Sequence, residues 1–259
     1  QDKDFSFAWL EDEWLSVNAN ILLEFLRSSY EEGFCPEDYH LKRIETLIAL
    51  NRFGKNKWGL RNPYWLGQLD VLLTDAFMLY ASDYIHGRVQ PLEVDNRWRF
   101  KKSKPDLTKL LLFSLQKQNL SEVLEKLKPS FPSYSRLVEG LRKYRKFTAD
   151  GGWDKLPVGP SLRLGDRDPR VPLLRRRLAV TGELEGLIEQ SSDLFDSSLH
   201  TALIRFQRRH GLRADGILGA RTLKELNVSA EERVRQIEVN LERLRWLPKS
   251  LGRKHLIIN

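Results

Sequence analysis

Phe206-Gln-Arg-Arg-His-Gly-Leu-Arg-Ala-Asp-Gly-Ile-Leu-Gly-Ala-Arg-Thr-Leu223 sets a helix end, a glycine stop, a tight turn and a second helix within eighteen residues. Gly211 stops the first helix, because glycine accepts the left-handed backbone that a helix C-terminus needs. Asp215-Gly216 makes the turn, and Thr222, Leu223 and Leu226 lie on the next short helix. Upstream, Asp196 is placed to cap the helix carrying Leu199, Ala202, Leu203 and Phe206. Asp168-Pro169 reads as an N-cap with proline at the first helical position, followed by the stripe Val171, Leu174 and Leu178 and the stop Gly182. The region 162–228 is therefore expected to be a small three-helix domain.

Working outward, residues 1–152 read as a helical domain. Helices are expected over Trp14 to Ser29, from Pro36 to about Leu50, over Leu66–His86, Asp106–Leu115, Ser121–Leu127 and Pro132–Phe147, the last with Tyr134, Leu137, Leu141 and Tyr144 on one stripe. The Leu66–His86 helix, with Val71, Leu72, Leu73, Ala76, Phe77, Leu79, Tyr80 and Tyr84, is apolar nearly all round, as a central helix should be, and Gly87 closes it. Gly151, Gly152, Pro157, Gly159 and Pro160 break the pattern and mark 153–161 as a linker. Ser229-x-x-Glu232 is a capping box opening a linker helix over 229–248, with Val234, Ile237, Leu241 and Leu244 at helical spacing and Pro248 as terminator. His255–Asn259 reads as the start of a β-strand. The fold class is thus mainly α: a helical domain, a three-helix domain and a linker helix, ending in one truncated strand.

Composition narrows the function classes. A chain of 259 residues that is 41% hydrophobic has material for folded cores. No stretch reaches the roughly 18 unbroken apolar residues of a membrane helix. One cysteine, Cys35, excludes an internal disulfide framework and a Cys-rich metal site. The chain starts at Gln1, which is read as a processed or trimmed N-terminus. Residues 161–228 hold 12 Lys/Arg against 9 Asp/Glu, and residues 229–259 hold 7 against 4, so the last third carries most of the net +8. A basic surface suits a polyanion or a carboxylate-rich wall peptide, and charge alone does not choose between them.

The ordered set Gly165, Val171, Leu174, Leu178, Gly182, Phe206-Gln207, His210-Gly211-Leu212, Asp215-Gly216, Gly219 and Thr222 resembles the peptidoglycan-binding domain carried by many bacterial cell-wall enzymes. Pro36-Glu-Asp-Tyr39-His40, Leu69–Ala76, His86-Gly-Arg-Val89, Gly151-Gly-Trp153 and Arg233-x-x-Gln236-x-x-x-Asn240-Leu-Glu-Arg-x-Arg-Trp246-x-Pro248 resemble the large L,D-transpeptidases of Gram-negative bacteria. In that family a helical scaffold precedes the peptidoglycan-binding module, and a β-rich catalytic domain follows. The resemblance implies a scaffold over 1–152, the linker at 153–161, the binding domain at 162–228, the linker helix at 229–248, and at 249–259 the start of a catalytic domain that the sequence does not include. The family's nucleophile is a cysteine in a Ser-His-Gly-Cys context. Cys35 lies between Phe34 and Pro36 and does not match, so this chain is expected to be catalytically silent while the parent enzyme joins stem peptides through a cysteine acyl-enzyme. The implied partners are glycan and stem peptides and the parent catalytic domain, in the periplasm, with no cofactor and no metal.

Six residues are the candidate binding set: Arg205, Arg208, Arg209, His210, Arg213 and Asp215. The arginines either grip stem-peptide carboxylates through bidentate contacts or form a solvated helix face. His210 either contacts ligand or satisfies carbonyls at its helix end. Asp215 reads first as a turn residue, since glycoside hydrolysis needs a second, facing carboxylate. The histidines His40, His86, His200, His210 and His255 show no metal spacing. Trp9, Trp14, Trp58, Trp65, Trp98, Trp153 and Trp246 either stack on sugars or pack inside, and scattered as they are, most are expected in core or domain-interface packing. Two rival readings are a stand-alone, non-enzymatic envelope adaptor and a nucleic-acid binder. The half-strand at the end argues against the first, and the want of a reading motif argues against the second.

Overall fold

The computed structural model describes residues 6–53, 62–96, 98, 105–185 and 192–248. It is mainly α-helical, with eleven helices and one short antiparallel hairpin among the described residues. The expected strand at His255–Asn259, Trp58 and the segment 249–259 lie outside them. No helix among the described residues is long and apolar enough to cross a membrane. The chain divides into two compact units: a larger one of residues 1–141 with 237–259, and a smaller one of residues 142–236.

In the larger unit the expected helix from Trp14 gives way to a hairpin. Strands β1 (Leu10–Glu11) and β2 (Trp14–Leu15) pair in the register Leu10 with Leu15 and Glu11 with Trp14. Asp12 and Glu13 form the turn at φ 49° and 68°, the positive values that a two-residue hairpin turn requires. Helix α1 (Val17–Ser28) starts only after extended Ser16, whose Oγ accepts from the Ala19 N–H at 3.2 Å.

The helix expected from Pro36 is also split. Pro36–Tyr39 is a single 3-10 turn, His40 is left-handed at φ 61°, and α2 runs over Leu41–Phe53. Tertiary partners enforce the break. The Tyr39 hydroxyl donates to Asp83 at 2.8 Å, and the His40 Nε2 lies 2.7 Å from Asp75.

Helix α3 (Pro63–His86) begins on the Asn62 cap and ends at Gly87, close to the expected span. It is less uniformly covered than its composition suggests, because Val71 is 67% exposed and Leu79 is also exposed. Then follow α4 (Pro91–Val94), α5 (Leu107–Lys117, capped by Asp106), α6 (Leu120–Leu127) and α7 (Pro132–Ala149).

Phe34, Tyr39, Tyr80 and Tyr84 pack edge to face at 5.0–5.9 Å and form the aromatic centre of this unit. Into it reaches the end of the last helix, α11 (Ala230–Arg245), whose residues from Ile237 onward belong to the larger unit. The Arg245 guanidinium lies 3.7 Å over the Phe34 ring and donates to the Tyr134 hydroxyl (3.0 Å) and to the Glu32 carbonyl. One turn earlier, Glu242 Oε1 accepts from the Arg88 and Val89 N–H groups and from the Trp246 indole, at 2.6, 3.1 and 2.9 Å.

In the smaller unit, α8 (Val171–Val180), α9 (Ser197–Arg209) and α10 (Ala220–Leu226) surround Leu174, Leu178, Leu199, Leu203, Phe206 and Leu226, all fully buried. The expected cap at Asp168 is displaced. Its carboxylate accepts from the Arg170 backbone N–H and holds the Arg170 side chain, so Pro169 sits in a turn and the helix opens at Val171. Asp196 does cap α9. Burial raises its pKa, but the Leu199 N–H, Ser198 and Arg175 outweigh that and hold it at about 2. The Ser229–Glu232 box is closed in both directions, at 3.1 and 3.2 Å.

Gly87 sits at φ 78°, ψ 168°, a region essentially closed to residues with a Cβ, and an added Cβ would fall 2.5 Å from Glu242 Oε1 and 2.6 Å from Trp246. Gly87→Ala is expected to destabilise the larger unit by roughly 2–4 kcal/mol, seen as a lower urea midpoint with the helical circular dichroism retained in the absence of urea.

Candidate functional site

Gln207 explains why the Asp215-Gly216 turn has a fixed shape. It follows core residue Phe206 on α9 and is only 1% exposed. A buried primary amide must find partners for both ends. Its Nε2 lies 3.1 Å from Asp215 Oδ1, 3.1 Å from the Ile217 carbonyl and 3.2 Å from Thr222 Oγ1, while its Oε1 accepts from the Gly216 N–H at 2.9 Å. Asp215 Oδ1 also accepts from the Ile217 N–H at 3.0 Å. That backbone bond is the first cause of the lowered Asp215 pKa, with Gln207 and Arg213 adding to it. The opposite side of the turn is equally closed: a Cβ on Gly216 (φ 68°) would meet the His200 ring.

The six candidate residues separate once placed. Arg209 is committed to partners within the unit while staying exposed, donating to the Tyr144 hydroxyl at 2.8 Å and pairing with buried Glu183. Arg205 reaches the Glu183 carbonyl at 3.4 Å. His210 is an interior residue. Its ring stacks on Phe206 at 4.1 Å, and Nδ1 lies 2.8 Å from Glu225, which Arg233 also holds at 2.6 Å. It therefore bonds a carboxylate and not the carbonyls of its own helix end. Burial, reinforced by Arg209 and Arg233, lowers its pKa to about 4 against the opposing pull of Glu225. Neutral His210 must keep its proton on Nδ1 to donate to Glu225, which leaves Nε2 a buried acceptor without a partner among the described residues. Arg208 is exposed and has no partner among the described residues. Asp215 shapes the turn, and Arg213, 91% exposed, lies 3.7 Å from it.

What the structure brings together is a groove of about 390 Å³ beside the turn. Its walls include Leu212, Arg213, Asp215, Ile217, Gly219 and Arg221. Arg221, in the first turn of α10, is the residue that the sequence reading missed. It is exposed and has no partner among the described residues. Two solvated guanidinium groups thus flank a groove with apolar Leu212 and Ile217 on its walls. Such a site can take a carboxylate bidentately while covering aliphatic surface.

Arg177 lies 3.7 Å over the Trp153 ring, donates to the Leu226 carbonyl and to Thr181, and is lowered to about 10 by burial. Among the described residues no cluster of three His, Cys, Asp or Glu side chains could hold a metal ion.

Residues 1–141, just over half of the chain, match the family model described as Scaffold domain. The chain belongs to that scaffold-domain family. A second model, that of the peptidoglycan binding domain, matches residues 167–226 and so includes the Gln207 turn and the groove. Comparison with curated proteins finds no match. A scaffold domain followed by a peptidoglycan-binding domain supports a peptidoglycan-binding role and a cell-wall-associated location for this scaffold-family chain.

Two outcomes follow from this geometry. Gln207→Leu keeps the volume but leaves the Gly216 N–H and the Ile217 carbonyl without their partner, and is expected to cost about 2–4 kcal/mol in chemical denaturation. For His210, the folded pKa lies below the ordinary value, so the unfolded chain binds the extra proton first. Its contribution is fully present above about pH 6.5 and falls as the pH drops toward 4, by on the order of 2–3 kcal/mol. Stability measured at intervals between pH 7 and 4 should therefore decline more steeply for the native chain than for His210→Phe.

Proposed function

We propose that this chain is the peptidoglycan-binding and scaffold portion of a large L,D-transpeptidase of the Gram-negative periplasm, a parent enzyme that cross-links stem peptides and takes part in cell-wall biogenesis and cell shape. The observation that carries the binding role is the Gln207-fixed turn with Arg213 and Arg221 flanking its groove, in a domain that matches the peptidoglycan-binding model. Stem peptides offer carboxylates on short aliphatic backbones, which suits two arginines beside apolar walls. The order of scaffold before binding domain supports the transpeptidase reading, as do the motifs Pro36–His40, His86–Val89 and Arg233–Pro248.

In this reading 1–152 is the scaffold, 153–161 a linker, 162–228 the binding domain and 229–248 the helix leading toward the catalytic domain. The chain's own role is to hold a wall strand and position it for the parent's cysteine. Cys35 is not that nucleophile. It is exposed beside Phe34, outside the Ser-His-Gly-Cys context that the chemistry uses.

The chain is expected to pellet with purified sacculi. Arg213→Glu with Arg221→Glu should reduce the pelleted fraction roughly tenfold at equal sacculus concentration, a loss of about 1.4 kcal/mol. Incubated with a disaccharide-tetrapeptide, the chain should form no cross-links. Cross-linked product would overturn the assignment of a silent portion, and failure to pellet would overturn the binding role.

A further inference from the structure

We propose that the groove beside the N-terminal hairpin of the larger unit is a second wall-binding site, specific for the sugar strand, with Trp14 as the platform for an N-acetylated aminosugar ring. The identity of the ligand rests on the peptidoglycan reading above; the shape and chemistry of the groove do not.

The hairpin holds two tryptophans in opposite circumstances. Trp9 is fully buried, and its backbone N–H donates to Asp70 at 2.8 Å and its indole N–H to Thr74 at 2.9 Å, bolting the hairpin to α3. Trp14, on the second strand, is 57% exposed. Large indoles are ordinarily drawn into cores, and here the neighbouring tryptophan already fills that place. The turn that presents Trp14 uses Asp12 and Glu13 in the left-handed region, a conformation that side chains other than glycine adopt at a cost. The hairpin thus keeps an unfavourable turn, and an exposed aromatic ring, in one fixed place.

Around Trp14 the groove measures about 340 Å³ and is lined by Leu15, Asn20, Arg27, Ile48 and Asn51 in addition. Its polar groups have capacity for a ligand. Arg27 donates its Nε to Glu45 at 2.9 Å, and its two terminal nitrogens have no partner among the described residues. Asn20 donates to the Ser16 carbonyl at 3.0 Å, and its own side-chain oxygen accepts nothing among them.

A pyranose ring matches this mixture. One face is a sheet of C–H bonds that a flat indole can cover, and the rim carries hydroxyl and acetamido groups that need donors and acceptors at the edge. An aliphatic chain would leave Arg27 and Asn20 facing apolar surface without partners, which is costly. An acidic peptide would meet Glu13, which also lines the groove, and Glu45 behind Arg27. The platform is held before ligand arrives, so little ordering opposes binding. The groove by Arg213 and Arg221 takes the peptide part of the polymer; this one takes the sugar part.

The test is titration of the full chain with a peptide-free N-acetylglucosamine tetramer, following the tryptophan indole N–H resonances by NMR. The Trp14 resonance is expected to shift with saturation. Trp14→Ala should weaken the tetramer at least tenfold and Trp14→Phe less, with circular dichroism unchanged because the replaced ring is on the surface. Arg213→Glu with Arg221→Glu should leave tetramer affinity unaltered. A tetramer that leaves Trp14 unmoved, or that binds Trp14→Ala as tightly as the native chain, overturns this inference. If sacculi still pellet the chain in that case, the binding role proposed above stands by itself.

Discussion

One buried amide holds the smaller unit's candidate groove in place. Gln207 is locked beneath the Asp215-Gly216 turn by the packing of Phe206, and each of its hydrogen-bonding atoms meets a group on the loop or on α10. The loop is anchored at its end by Leu218 in the core, and the shape of its tip is tied to α9 through this residue. Through Thr222 the same set of bonds also reaches α10, which carries Arg221 to the groove that Arg213 lines. A short loop stabilised this way is poised without needing a ligand to order it.

The larger unit relies on a different device. A guanidinium enclosed by Phe34, Tyr84 and Tyr134 keeps its charge because aromatic faces and the Glu32 carbonyl replace the water it has lost. The phenols around it are pushed well above their ordinary range, chiefly by burial, so they stay neutral donors and acceptors. Polar groups in this centre select one arrangement of the helices, since any other would leave a charge uncompensated.

Local chemistry was legible in the sequence where it is self-contained. The caps at Asp196 and Ser229, the glycine stop at Gly211 and the apolar stripes of α8 and α9 each depend on residues a few positions apart. What escaped depends on distant partners. No glycine betrays the turn at Asp12 and Glu13, and the bolt that holds it reaches from Trp9 to α3. The break at His40 is imposed by Asp75 and Asp83. In the candidate site, Asp215 is visible as a turn residue, but the sequence leaves His210 open between ligand contact and a helix-end role, because its partner Glu225, and the Arg233 that holds Glu225, lie beyond the motif. In the sequence Arg221 is only part of a helix start; its exposure and its place in the same groove as Arg213 are tertiary facts.

The bond from Arg245 to the Glu32 carbonyl joins residues 213 positions apart, across the whole of the smaller unit in chain order. In a chain made from its N-terminus, every residue of the second unit is therefore available before the first unit has all of its own. Residues 142–236 can collapse on contacts near in sequence, while the aromatic centre around Phe34 needs a guanidinium that lies beyond them in the chain.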